Sequence, residues 1–214
     1  MTHSQRLTRR LVAGLAAAFI LAAGLGTASA RNLSATHQSL RATWAGLELT
    51  NSINTVTVRC PVTLEGSFHS RTIAKVANSL TGYITRAVLN SGACTNGRST
   101  LLVETLPWHL TYEGFTGTLP SIATIRFLLI RVAFDIEDGT NVCLMVTTSE
   151  EPASGIAVLG VGGVVNGLRV DETRRIRLRN GPGGLFCGLG NGSLRGTGGL
   201  TVLGTSNSVS ITLI

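Results

Sequence analysis

Thr55-Val56-Thr57-Val58-Arg59-Cys60, continued past Pro61 by Val62-Thr63-Leu64-Glu65-Gly66, is the stretch that decides the fold class. β-Branched and apolar residues alternate there with polar ones at period two. Asn, Ser and Gly bound the run, which marks a strand with one buried face. Thr50-Asn51-Ser52-Ile53-Asn54 just upstream reads as a turn, and Trp44 to Leu49 as a less regular strand before it.

Downstream, the same pattern recurs in Ser99 to Thr105, Trp108 to Phe115, Ile122 to Ile136 and Val142 to Thr148. Asp138-Gly139 between the last two is the strongest short hairpin signal in the chain. From Ser154 onward glycine becomes dense. Short strands follow at Ile156 to Leu159, Val164 to Val170, Ile176 to Arg179, Leu185 to Leu189, Leu200 to Leu203 and Val209 to Leu213. Many short strands at close spacing predict a sandwich or a barrel. One segment has a different period: Ile73, Val76, Ala77, Leu80, Ile84, Ala87 and Val88 recur at three and four, which predicts a helix capped by Ser70. The expected fold is mainly β: a single-domain β-sandwich or partly closed β-barrel with one short helix near residues 70–88. Residues 31–214 form that β-rich domain, and Arg31 to about Ala42 read as a loose lead-in.

Residues 1–30 read as a secretory signal peptide. Arg6, Arg9 and Arg10 precede an apolar run from Leu11 to about Gly26, and Thr27-Ala28-Ser29-Ala30 supplies a small-x-small cleavage site. The run is short for a membrane span, which needs about 20 residues. Retention as an uncleaved anchor is the alternative, and Arg9-Arg10 leaves the twin-arginine route open beside the general one. The formal charge of +7 falls to about +4 once the three leader arginines are removed, by simple charge bookkeeping. That excess is too small to imply a nucleic-acid partner, and Lys75 is the chain's one lysine.

Cys60, Cys94, Cys143 and Cys187 agree with export. Four cysteines in an exported chain suggest two disulfides, with three possible connectivities. Sequential pairing is favoured; each bridge would close a loop of roughly 35–45 residues, contributing about 4 kcal/mol in the chain-entropy model. None sits in a Cys-x-x-Cys pair, so neither a zinc site nor a dithiol redox site is expected.

Catalytic patterns are weak. No Gly-x-Ser-x-Gly elbow occurs. His69 lies at an expected corner, His109 on a strand face opposite Trp108, and His37 in the lead-in. Glu104 and Glu113 fall on neighbouring candidate strands, but glycoside chemistry needs two carboxyl groups facing one cleft. Asp135-Ile136-Glu137-Asp138-Gly139 has the wrong ligand register for a calcium loop. The glycines from Gly181 to Gly199 match no phosphate-binding fingerprint. No cofactor and no metal is expected.

Two surface features qualify as binding candidates. Arg175, Arg177 and Arg179 alternate with Ile176 and Leu178, so three guanidinium groups line one strand face. They would contact an anionic envelope polymer or, as the competing reading, protect an edge strand with charge. Trp108, Leu110 and Tyr112 also share a face, forming either an aromatic platform for a sugar ring or part of the core.

The run Cys60-Pro61-Val62-Thr63-Leu64-Glu65-Gly66-Ser67-Phe68-His69-Ser70-Arg71-Thr72-Ile73-Ala74-Lys75-Val76 resembles a stretch in uncharacterised secreted proteins of high-GC actinobacteria. So do Glu104 to His109 and Phe115 to Pro120. The resemblance implies secretion and brings no assigned activity or catalytic residues. The expectation is an exported, disulfide-stabilised structural or binding module of the cell envelope or medium. Its partners would be an anionic envelope polymer or carbohydrate, with no membrane span once the leader is cleaved. The rival is a secreted hydrolase with a loop-borne active site. A small membrane barrel is a third reading, disfavoured because aromatic girdles are missing from the strand ends.

Overall fold

Alternation at period two builds fifteen strands among the described residues. They are β1 (Asn32–Ala35), β2 (Ser39–Asn51), β3 (Val56–Phe68), β4 (Thr72–Ala74), β5 (Leu80–Leu89), β6 (Arg98–Leu101), β7 (Trp108–Thr118) and β8 (Ser121–Ile130). After these come β9 (Ala133–Glu137), β10 (Val142–Val146), β11 (Ala153–Leu159), β12 (Val165–Val170), β13 (Ile176–Asn180), β14 (Asn191–Val202) and β15 (Ile211–Leu213). The computed structural model describes residues 32–52, 56–137, 139, 142–170, 175–181, 187 and 190–214. Among them the helical segments are three-residue 3-10 turns, and Asn32–Ile214 form one compact unit.

Eight strands close into a ring. In the order β2, β3, β5, β7, β8, β11, β12, β14, each pairs antiparallel with the next, and β14 returns to pair with β2. Ring order follows chain order, the arrangement of an up-and-down barrel, in which closure removes the exposed strand edges. The insertions between ring strands build the rest. β14 also pairs with β13, which continues through β10 and β9 to β6 as an arm. A separate sheet, β15-β1-β4, packs Leu33, Ala35, Ile73 and Ile211 against barrel residues Leu40, Phe68, Leu110 and Phe127.

A second apolar cluster joins the barrel to the arm. Leu49, Val58 and Trp108 meet Phe134, Ile136, Met145 and Leu178 there, all nearly or fully buried. The outward positions of the barrel carry Arg41, Glu65, Arg86, Arg126 and Arg169. An apolar inside with a charged outside is the reverse of a barrel held in lipid. No described helix is long and apolar enough to cross a membrane.

The expected helix at 70–88 does not form. Ile73 belongs to β4, Leu80 to Ala87 belong to β5, and a turn at Asn78 (φ 63°) separates them. The apolar stripe is an accident of spacing, because Ile73 and Ala87 are buried whereas Val76, Leu80 and Val88 are exposed. β-Branched Thr81, Ile84, Thr85 and Val88 with Gly82 favour an extended chain. The lead-in is also more structured than its polarity suggests: β1 is the central strand of the small sheet, with Leu33 fully buried.

The long run Ile122 to Ile136 is two strands in different parts of the molecule. Arg131 (φ 75°) turns the chain between β8 in the barrel and β9 in the arm. The hairpin after it pairs Glu137 with Val142, so four residues connect β9 and β10 rather than two. Gly139 has φ 92°, and Asp138 lies outside the described residues. Much of the glycine-dense tail, read as short strands and turns, is the twelve-residue β14. Its glycines leave room for side chains: a Cβ on Gly198 would meet the Trp44 ring and the Thr43 carbonyl. The predicted strand at Leu185 to Leu189 lies outside the described residues, Cys187 excepted.

Candidate functional site

The four cysteines form the sequential pairs, Cys60–Cys94 and Cys143–Cys187. The first ties β3 to the loop after β5. The second ties β10 to the segment between β13 and β14. Both bridges belong to the cluster that joins barrel and arm.

The aromatic platform is core. Trp108 is 0% exposed and Tyr112 is 3% exposed, so neither ring is available to a ligand. Trp108 donates its indole N–H to Thr105 Oγ1 at 2.8 Å, and burial pushes the Tyr112 phenol above its ordinary value. A strand with one apolar face buries that face.

The arginine strand keeps its alternation but not its expected place. Ile176 and Leu178 are buried, while Arg175, Arg177 and Arg179 are exposed. However, β13 lies between β10 and β14, so it is not an edge strand and its charges protect no edge. The Arg177 backbone N–H donates to Glu151 Oε2 at 2.8 Å, and its guanidinium stands 4.0 Å from Glu151 Oε1. Those arginines stand on the arm as a flat solvated face.

The histidines meet a ring rather than an acid. His69 and His109 both pack edge-on against Tyr83, at 4.8 and 5.4 Å between ring centroids. His37 is exposed and meets Thr36 Oγ1 through Nδ1. The two glutamates have separate neighbourhoods. Glu113 accepts from Ser154 and lies 3.8 Å from Arg126 Nε. Glu104 lies in a 3-10 turn near Asp135, whose carboxyl is raised first by desolvation and then by the Glu104 charge.

The barrel lumen is a second candidate and a poor one. An apolar cavity of about 90 Å³ is lined by Trp44, Leu64, Phe68, Phe127, Leu168 and Leu200 among others. Ligand pockets usually begin near 300 Å³, and a cavity of about 150 Å³ just admits benzene. Eight strands leave an interior that side chains can fill, and here they nearly do.

The large concave surface is on the outside of the ring. A groove of about 920 Å³ is lined by residues of β7, β8, β11, β12, β14, β2 and β3. Arg59, Arg126, Arg169 and Arg195 line it, with Glu48 the one acid among its described lining residues. Register explains their convergence. Arg126, Ile156, Arg169 and Thr197 stand side by side on β8, β11, β12 and β14. Two residues back along β14, Arg195 faces Glu48 on β2, which faces Arg59 on β3. Gly46 opens the wall: a Cβ there would occupy the space of the Arg59 side chain. Thr116 and Thr124, hydrogen-bonded at 2.6 Å, add hydroxyls at the other end.

These arginines come from four separate parts of the chain. Each alternates with apolar neighbours as any outward residue does, and no local pattern singles them out. Guanidinium groups suit carboxylate and phosphate because they donate in a planar, bidentate fork. The described lining of the groove is therefore predominantly cationic. No family model, no curated protein and no solved structure matches the chain.

Proposed function

We propose that this protein is an exported, disulfide-stabilised binding module of the cell envelope or the extracellular medium, and that its groove takes an anionic ligand. The observation that carries the reading is the convergence of Arg59, Arg126, Arg169 and Arg195 on one concave surface whose described lining includes the acid Glu48, with Glu113 beside Arg126. The leader sequence supports export. The two disulfides support an oxidising compartment, where such bonds persist. The barrel supplies a rigid floor, so the guanidinium groups need little ordering when a ligand arrives.

The test uses residues 31–214, oxidised, on immobilised dextran sulfate and on neutral dextran. Retention on the sulfated matrix alone is expected, released by salt because the contact is electrostatic. A double variant, Arg59→Ala with Arg169→Ala, should elute much earlier. An Arg177→Ala/Arg179→Ala control on the arm should elute with the wild type. Equal retention of the groove variant and the wild type would remove the groove as the binding surface.

A further inference from the structure

We propose that one end of the barrel docks on an anionic lipid surface by inserting aliphatic side chains; that end is separate from the groove, and the proposal does not depend on the groove. The ring strands run up and down, so every second connection gathers at that end. These are the β7–β8 turn, the β11–β12 turn, the segment from β3 through β4 to β5, and the segment from β14 to β15. Val76, Leu119, Val161 and Ile214 stand there, between 46% and 98% exposed.

Contacts bring these connections together. Pro120, Ile122, Leu159, Val161 and Leu213 line one hollow of about 410 Å³. Ile214 exchanges backbone hydrogen bonds with Asn32, which lies opposite Ala74 of β4. Lys75, next in the chain, places its ammonium 5.4 Å from the centre of the Phe115 ring on β7. The turn that carries Val161 is seated on β15: Gly162 and Gly163 have φ of 69° and 75°, and a Cβ on Gly163 would collide with the Ile211 carbonyl. The charge of this end has one sign. Residues 32–38, 69–79, 117–122, 159–164 and 203–214 include Arg71 and Lys75 and neither aspartate nor glutamate. Glu104, Glu137, Glu150 and Glu151 belong to the opposite end or the arm.

Aliphatic side chains standing singly on separate turns suit a fluid acyl boundary, which closes around each of them. A folded protein partner needs about 800 Å² of continuous complementary surface instead. A sugar ring stacks on an aromatic face, and the four exposed residues are aliphatic. Anionic headgroups pair with Arg71 and Lys75 while the aliphatic groups enter the boundary, the two contributions that hold a peripheral protein at an interface. β1 also begins here, so the upstream sequence, with its apolar run from Leu11 to Gly26, joins the domain at this same end.

The probes are vesicles of phosphatidylglycerol mixed with phosphatidylcholine, and of phosphatidylcholine alone. They are sedimented with oxidised protein of residues 31–214, whose Asn32–Ile214 body is one compact unit. Wild type should sediment with the anionic vesicles and more weakly with the neutral ones. Leu119→Ser with Val161→Ser should weaken binding about tenfold, the worth of two partly buried aliphatic groups. Arg71→Gln with Lys75→Gln should weaken binding to the anionic vesicles about fivefold and leave the neutral ones unchanged. Fluorescence of Val161→Trp should shift to the blue on anionic vesicles and be quenched by brominated acyl chains. Val103→Trp, exposed at the opposite end, should do neither.

An absence of wild-type binding to anionic vesicles, or a Val161→Trp spectrum that they leave unchanged, overturns the proposal. So does loss of vesicle binding in Arg59→Ala/Arg169→Ala with none in Leu119→Ser/Val161→Ser, because the groove would then be holding the headgroups. If Leu119→Ser/Val161→Ser turns a lipid-free dimer into a monomer, the end is a contact between copies and the lipid surface is overturned. Vesicle binding that survives in the groove variant supports the proposal whatever the dextran sulfate experiment shows.

Discussion

The Arg59 side chain lies across Gly46 on the neighbouring strand, in space that any Cβ at that position would take. This pairing places a guanidinium along the groove wall rather than out in solvent. Gly46→Ala should displace it and weaken binding of an acidic polymer about two- to fivefold, as expected for one exposed ionic contact. Stability should hardly change, because the atoms displaced belong to a flexible side chain. Gly198→Ala makes the contrast: its Cβ would meet the Thr43 carbonyl and the Trp44 ring, and overpacking of that kind costs about 1–3 kcal/mol. Titration calorimetry and denaturant melts of the two variants separate the effects.

Each disulfide should contribute strongly to stability. The bridges span sequence separations of 34 and 44 residues, and loops of that size contribute about 4 kcal/mol in the chain-entropy model. Replacing Cys60 and Cys94 together by alanine should lower the denaturant midpoint sharply, and so should replacing Cys143 and Cys187 together. Removing both pairs should leave a chain that does not fold at 37 °C. Urea melts of oxidised and reduced protein measure the same quantity without mutation.

Glu65 should make the fold acid-sensitive. It bridges Arg86 on β5 and Arg41 on β2, at 3.0 and 2.9 Å, on a wall of the barrel. The hydrogen bond from Arg86 holds its carboxyl below the ordinary 4.5, against the opposing effect of burial, and Arg41 adds to the lowering. A carboxyl whose pKa is lower in the folded state stabilises above its unfolded value and loses that contribution as pH falls through the folded one. Stability should therefore drop below about pH 4.5, and Glu65→Gln should flatten that drop. At pH 7 the variant should be less stable by about 1–3 kcal/mol, the worth of hydrogen bonds to a charged group.

Asp135 has the opposite sign. Desolvation, reinforced by Glu104, raises its carboxyl above the ordinary value, and its buried Oδ1 lacks a hydrogen-bond partner among the described residues. Ionising such a group costs stability once the pH exceeds its unfolded value. Asp135→Asn should stabilise the protein at pH 7, and the gain should fade as the pH falls into the acidic range. Melting temperatures at pH 7 and pH 4 check both halves; a variant less stable than wild type at pH 7 would contradict the assignment.

How much of this was readable beforehand differs from residue to residue. Thr57 to Leu64 alternates as a strand does because side chains on extended backbone point to opposite faces, and that rule needs no tertiary information. The burial of Trp108, Leu110 and Tyr112 on one face follows from the same rule. Residues 70–88 misled because Ile73, Val76, Leu80 and Ile84 fit a helical wheel by number. Their destinations differ: Ile73 packs in the small sheet, whereas Val76 and Leu80 face solvent. Arg175, Arg177 and Arg179 stood out because they are close in sequence. The groove arginines did not, because Arg59, Arg126, Arg169 and Arg195 are joined by strand register alone.

From the sequence by itself came a β-rich body, four cysteines suited to two bridges, and the inward and outward sides of most strands. All of these depend on residue identity and on spacing within a few positions. Closure of β12 onto β14, the split of Ile122 to Ile136 between barrel and arm, and the lining of one groove by four arginines came from tertiary structure. Each depends on which strands lie side by side and in which register. Those choices are set by burial and hydrogen bonding summed over the whole sheet, so residues more than a hundred positions apart come to share one surface.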